Sequence, residues 1–209
     1  MKDKNTFNVT IGFSTTKQLS SWFIRWITNS SCSHTFIAFD DAALNMRMVM
    51  HAEGWGYELQ PWRRWIKKNI LVAEFTPAGH SLDGALHSIA KSLGARFDVR
   101  SAILIGIKSK LNFWYKSRFS LNLNRSPWKL TCSEAVVRFL GYGGYNAARG
   151  LNPENTSPGE LLDRIIRDKE EFRVYYLYKR YLKFDKKIQI PPSCMKRKFV
   201  FKKDRDPKK

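Results

Sequence analysis

The chain has 209 residues, 43% of them hydrophobic and 14% aromatic, which suits one domain with a real core and excludes low-complexity disorder over most of its length. Its 37 Lys+Arg against 18 Asp+Glu give a formal net charge of +19, which draws it to anionic surfaces such as nucleic acid, anionic lipid or teichoic-type polymers without defining a fold or a reaction. The three cysteines, Cys32, Cys132 and Cys194, lie far apart and form no C-x-x-C pair, which argues against a disulfide framework and against a zinc site.

In chain order, residues 7–13 (FNVTIGF) alternate and are β-branched, the pattern of a first strand. Residues 16–28 place Leu19, Trp22, Phe23, Trp26 and Ile27 at helical spacing, a helix with one apolar stripe and with Ser14-Thr15-Thr16 available as its N-cap. The run NSSCS ends it. Residues 34–39 (HTFIAF) read as a strand, Asp40-Asp41 as a turn and 46–52 (MRMVMHA) as the partner strand, followed by a turn between Gly54 and Gly56. Residues 61–68 read as a short helix with Pro61 at its first position, and 69–75 (NILVAEF) as a further strand. A helix over 81–93 stops at Gly94. The apolar run 99–107 fits helix or strand and is read as helix, with 110–126 an aromatic-basic loop or insertion. Helices over 132–140 and 157–167 follow, the second opened by Ser157-Pro158, and FRVYYLY within 172–190 is a strong strand pattern. The chain divides into a domain over 1–182 and a basic C-terminal extension over 183–209.

The chemistry concentrates at Thr131-Cys132-Ser133-Glu134. This is S/T-x-x-E before an apolar helical run, a capping box with Thr131 as N-cap. Cys132 then occupies the first helical position, where exposed N–H groups and the positive end of the helix dipole stabilise a thiolate and can donate to an oxyanion. Such a nucleophile needs a base within hydrogen-bond reach. His34 opens one strand and His51 lies near the end of the next, so a hairpin can bring them together if their parity agrees. The sequence leaves that register open. His80 and His87 sit on or beside a surface helix and read as ordinary.

Ser33-His34-Thr35-Phe36-Ile37, Met50-His51-Ala52, Cys132-Ser133-Glu134 and Ser157-Pro158-Gly159-Glu160-Leu161 occur in an order that resembles the permuted NlpC-type papain-like cysteine hydrolases, the YiiX/YebB-like group. The resemblance covers roughly residues 8–165, and His precedes Cys as in the permuted members. It implies an α+β fold, an antiparallel sheet packed on helices. It further implies that Cys132 attacks a carbonyl, that His34 takes its proton, and that His51 orients the imidazole where the family often carries Glu. Glu53, on the same strand face, is the alternate third residue. The family often has a tyrosine before the cysteine helix; the nearest match here is Phe97-Asp98.

The expected function is cleavage of an amide bond in a peptide or peptidoglycan-type, cell-wall-type substrate, with no cofactor and no metal. The His34, His51, Cys132 set also resembles lecithin–retinol acyltransferase-like enzymes, for which NFWYKSRF could touch lipid. A non-catalytic binding or structural protein retaining the fold is the third reading. The basic extension suits an anionic polymer or lipid surface. Nothing in the chain matches a motif for sequence-specific nucleic-acid reading. No stretch reaches the roughly 18 apolar residues that span a bilayer, and no signal peptide is visible, so a soluble, cytoplasmic chain is expected, with delivery elsewhere only by another route.

Overall fold

The structure, a computed structural model, describes residues 8–78, 82–115, 128–168 and 170–177. Its centre is a six-stranded antiparallel sheet in the order β4-β3-β2-β1-β5-β8, formed by β1 (Thr10–Thr15), β2 (His34–Asp41), β3 (Met46–Glu53), β4 (Gly56–Pro61), β5 (Ile70–Pro77) and β8 (Phe172–Leu177). A two-residue parallel pair, β6 (Arg96–Phe97) with β7 (Lys129–Leu130), sits just before the helix α5 (Cys132–Tyr142). The remaining helices are α1 (Leu19–Thr28), α2 (Trp62–Trp65), α3 (Asp83–Ala90), α4 (Val99–Tyr115) and α6 (Pro158–Arg167). The fold is therefore mixed α+β, an antiparallel sheet packed against helices.

Strand alternation splits the interior in two. Ile11, Phe13, Ile37 and Met50 face α5 and α3, where Val136, Phe139, Leu140 and Ile89 complete the larger core. Phe36, Ala38 and Val49 face the other way and are covered by Trp65 of α2, with Trp62 and Leu71 at the margin. Both faces of β1, and of β2 as far as Phe39, are thus buried, with Thr10, Ser14 and Thr15 of β1 among the buried polar residues. Gly12 shows why the second core closes. A Cβ there would lie 1.8 Å from the Phe36 ring, so only glycine leaves the ring its place. The same face also buries Glu74, paired with Arg47 and accepting from Thr10 Oγ1, while Arg47 lies 4.7 Å from the centroid of the Trp62 ring. Burial drives the Glu74 carboxyl upward, and the Arg47 guanidinium opposes that shift.

Several sequence expectations need correction. Asp40 and Asp41 belong to β2, and the turn is Ala42–Asn45, with Asn45 in the left-handed region (φ 47). Asp41 Oδ1 instead accepts from Leu44 N–H at 3.0 Å, which starts that turn. Residues 56–61 form a strand, and Pro61 ends it, standing before α2 rather than inside it. Gln18, not a residue of the Ser14–Thr16 run, is the N-cap position of α1; Ser14 and Thr15 belong to β1. The run from 110 to 115 continues α4 rather than forming a loop. Residues 116–127, His80, Cys194, the end of the 172–190 strand pattern and the basic extension 183–209 lie outside the described residues. No helix among the described residues is long and apolar enough to cross a membrane.

Candidate active site

Cys132 stands where the capping box puts it. Thr131 Oγ1 accepts from Glu134 N–H at 3.3 Å, and the Glu134 carboxylate accepts from Thr131 N–H at 3.3 Å. Glu134 also pairs with Arg138 at 2.6 Å one turn on. Ser133 Oγ donates to Thr156 O at 2.5 Å, which ties the first turn of α5 to the segment before α6. Ser157 caps α6 by accepting from Glu160 N–H at 3.2 Å, so the S-P-x-x-L run does the work of a helix start.

The thiol is buried. Burial raises its pKa above the ordinary range, opposed by hydrogen bonding to the backbone and side chain of Thr35 and to the N–H groups of Ser133 and of Cys132 itself. Desolvation therefore outweighs these hydrogen bonds, and the resting group is a neutral thiol rather than the stabilised thiolate expected from the helix start. Cys32 is buried nearby, and its pKa is pushed up to about 12 by desolvation, so it holds no thiolate near neutral pH.

The register β2–β3 sets Phe36 opposite His51, so His34 and His51 share one face, diagonal to each other. Their rings meet edge to face with centroids 5.3 Å apart, and the Trp65 ring lies 6.3 Å from His51. His51 Nδ1 is 3.7 Å from Glu53 Oε2, and its Nε2 is 3.4 Å from Glu58 Oε1 and touches the side-chain amide of Gln60. Burial lowers the His51 pKa to about 4, and burial together with His51 holds His34 well below the usual histidine range. Both rings are thus neutral at pH 7, and the contacts of His51 with the two glutamates are dipolar rather than ion pairs. Desolvation and the neighbouring Glu58 raise Glu53, against an opposing effect of Lys68.

Alternation also separates the two halves of the site. Thr35 is in contact with Cys132, whereas His34 and Phe36 turn toward the face of Trp65. The imidazole and the thiol therefore flank the first two residues of β2 without a hydrogen bond between them. His34 Nε2 and His51 Nδ1 are buried and have no hydrogen-bond partner. The donor atoms of His34, His51 and Glu53 lie within 4.8 Å of one another, a spacing that a divalent cation could also bridge.

Thr35, Glu58 and Gln60 were not singled out from the sequence. Thr35 carried no signal. Glu58 and Gln60 do share the parity of His51 across β3–β4, but only once β4 is recognised as a strand. Phe97 stands beside Leu130, two residues before Cys132, and the Asp98 carboxylate accepts from Ser101 N–H at 3.1 Å and Ser101 Oγ at 2.7 Å, so the pair at the tyrosine position serves to start α4. His87 is exposed on α3. No protein-family model matches the chain, and no curated protein matches it.

The neutral histidines have a consequence for stability. The unfolded chain binds their protons near pH 6.5, whereas folded His51 does so at about 4 and folded His34 well below 6.5. Stability is complete above the unfolded value and falls as pH drops through this window, by about 3 kcal/mol from His51 alone. Thermal melts between pH 7 and pH 4.5 should show this loss, with a shallower slope in His51→Gln. An equal slope in that variant would assign the acid sensitivity to other groups.

Proposed function

We propose that this chain is a cysteine hydrolase of permuted papain-like, NlpC-type architecture, cleaving an amide bond in a peptide or peptidoglycan-type substrate. The observation that supports this best is Cys132 at the capped first turn of α5, its sulfur against Thr35 next to His34. Cys132 Sγ attacks the substrate carbonyl carbon as its proton passes to His34. The N–H groups at the first turn of α5 receive the oxyanion. Collapse expels the amine, which takes the proton back from His34 and leaves a thioester on Cys132. Water then attacks the thioester, His34 again accepting a proton, and the acid leaves as the thiol reforms. His51 orients His34, with Glu53 as the alternate and Gln60 fixing His51 in turn. His34 and Cys132 make no hydrogen bond at rest, so the attack requires the imidazole to approach the sulfur.

The second histidine of the cluster, in the place of an acid, favours the acyltransferase reading as an alternative. In that case an alcohol or amine replaces water in the second step.

Alkylation of Cys132 by iodoacetamide across pH, followed by peptide mass spectrometry, tests the pairing. Direct reaction of the thiolate climbs with pH and levels off only above the ordinary thiol range, because burial raises the thiol. A His34-assisted route adds a plateau at neutral pH, where the ring is neutral and the thiol protonated. Wild type should show the plateau, and His34→Ala should show only the climb. A profile unchanged by His34→Ala, or a Cys132 inert at every pH, would count against the enzyme.

A further inference from the structure

The apolar stripe of α1 does not face the core. Leu19, Trp22, Phe23 and Trp26 are 85, 56, 43 and 53% exposed, while Ser21 and Ile27 make the buried side. Trp22 and Trp26 stack with centroids 6.3 Å apart and planes 11° apart, and Phe23 lies 6.1 Å from Trp26. Beside α1 packs α4. A Cβ on Gly106 would come within 2.6 Å of Ile27 Cγ2, so glycine permits the close approach of the two helices. Val99, Ile103, Ile107 and Leu111 of α4 are exposed as well. Lys110 Nζ stands 4.4 Å from the Trp26 ring centroid and donates to Trp26 O at 3.3 Å, joining the cationic and aromatic parts.

The charge of this surface is one-sided. The two helices carry Arg25, Arg100, Lys108 and Lys110 and no Asp or Glu. A second copy of the chain would bring cations against cations. A nucleic acid would leave Leu19, Ile103 and Ile107 facing phosphates. A leaflet containing anionic lipid satisfies both parts, because acyl chains take the aliphatic residues, the headgroup layer takes tryptophan, and lipid phosphates take Lys and Arg.

We propose that the α1–α4 face docks the protein on an anionic lipid surface, with Trp22 and Trp26 at headgroup depth. This goes beyond the hydrolase reading and does not depend on it. The docked helix is tied to the site, because Ser21 Oγ lies 2.5 Å from Ser33 Oγ, the residue before His34.

The test is co-sedimentation of the full chain with phosphatidylcholine vesicles and with mixed phosphatidylcholine–phosphatidylglycerol vesicles at physiological salt. Wild type should partition onto the mixed vesicles, and the double variant Trp22→Ser/Trp26→Ser should partition at least about tenfold less with an unchanged melting temperature. Leu19→Asp, which alters no ring, should weaken binding in the same direction. Equal binding by wild type and both variants would assign the attraction to the basic extension and overturn the proposal. So would absence of wild-type binding, or a wild-type dimer that the variants dissociate.

Discussion

On the proposed mechanism, Cys132→Ala should end turnover of an acyl substrate, by roughly 10⁴-fold or more, because the covalent route is lost and the remaining site offers only oxyanion donors. The variant stays folded. The sulfur is one atom at a helix start whose cap is made by Thr131 and Glu134, and its removal costs about 1 kcal/mol. A panel of peptides, peptidoglycan stem fragments and an activated ester such as p-nitrophenyl acetate supplies the rates, and circular dichroism supplies the fold control. Cys32→Ala is the matching comparison. It removes a sulfur from the same core, beside Cys132, yet leaves the rate nearly unchanged because a thiol held at about 12 is no nucleophile. If Cys32→Ala silenced turnover and Cys132→Ala did not, the assignment of the nucleophile would be reversed.

The two cysteines also show where the sequence was informative. The start of α5 was legible because its cap is local: Thr131 and Glu134 need only each other, and both hydrogen bonds are present. The α6 cap at Ser157 was legible for the same reason. The pairing of the two histidine strands was legible from their composition and the turn between them, but not its register. Their hairpin turn lies two residues later than the Asp40-Asp41 pair suggested, and a shift of one residue would move His51 to the other face. The strand β4 was hidden because GYELQP has no β-branched residue and ends in proline; it lies at the sheet edge, paired with β3 and tied on its other side to Gly94 and Ala95 through Tyr57. The direction of the α1 stripe was also beyond a periodicity argument. Spacing says which residues share a face, not whether that face meets the core. Here the burial of Ile27 and the close pass of Gly106 decide it, and both depend on α4. The thiol is a further case. A helix start can be read from sequence, but the burial that raises the Cys132 thiol depends on tertiary packing, including the contact with Thr35 of β2.

The separation of His34 from Cys132 makes the second large effect the more discriminating one. If the His34 ring approaches the sulfur as the substrate enters, His34→Ala removes the group that takes the thiol proton near neutral pH, and the rate falls by about 10² to 10⁴. The loss then shrinks as pH rises, because the thiolate forms unaided above the ordinary thiol range and a base is no longer needed. His51→Ala should cost less, since His51 packs edge to face on the resting His34 ring at 5.3 Å and touches no reacting atom. Its effect should fall on the neutral-pH rate while the alkaline limb stays as in wild type. His51→Gln, which can still hydrogen-bond Gln60, should recover part of that rate, whereas a purely structural histidine would give no such recovery. A loss that is the same at every pH in His34→Ala would mean that the ring supports the fold of the β2 end and not proton transfer. The thiol would then need another base, and the cluster of buried His34 and His51 with the partly exposed Glu53 would be a separate site on the far side of the strand.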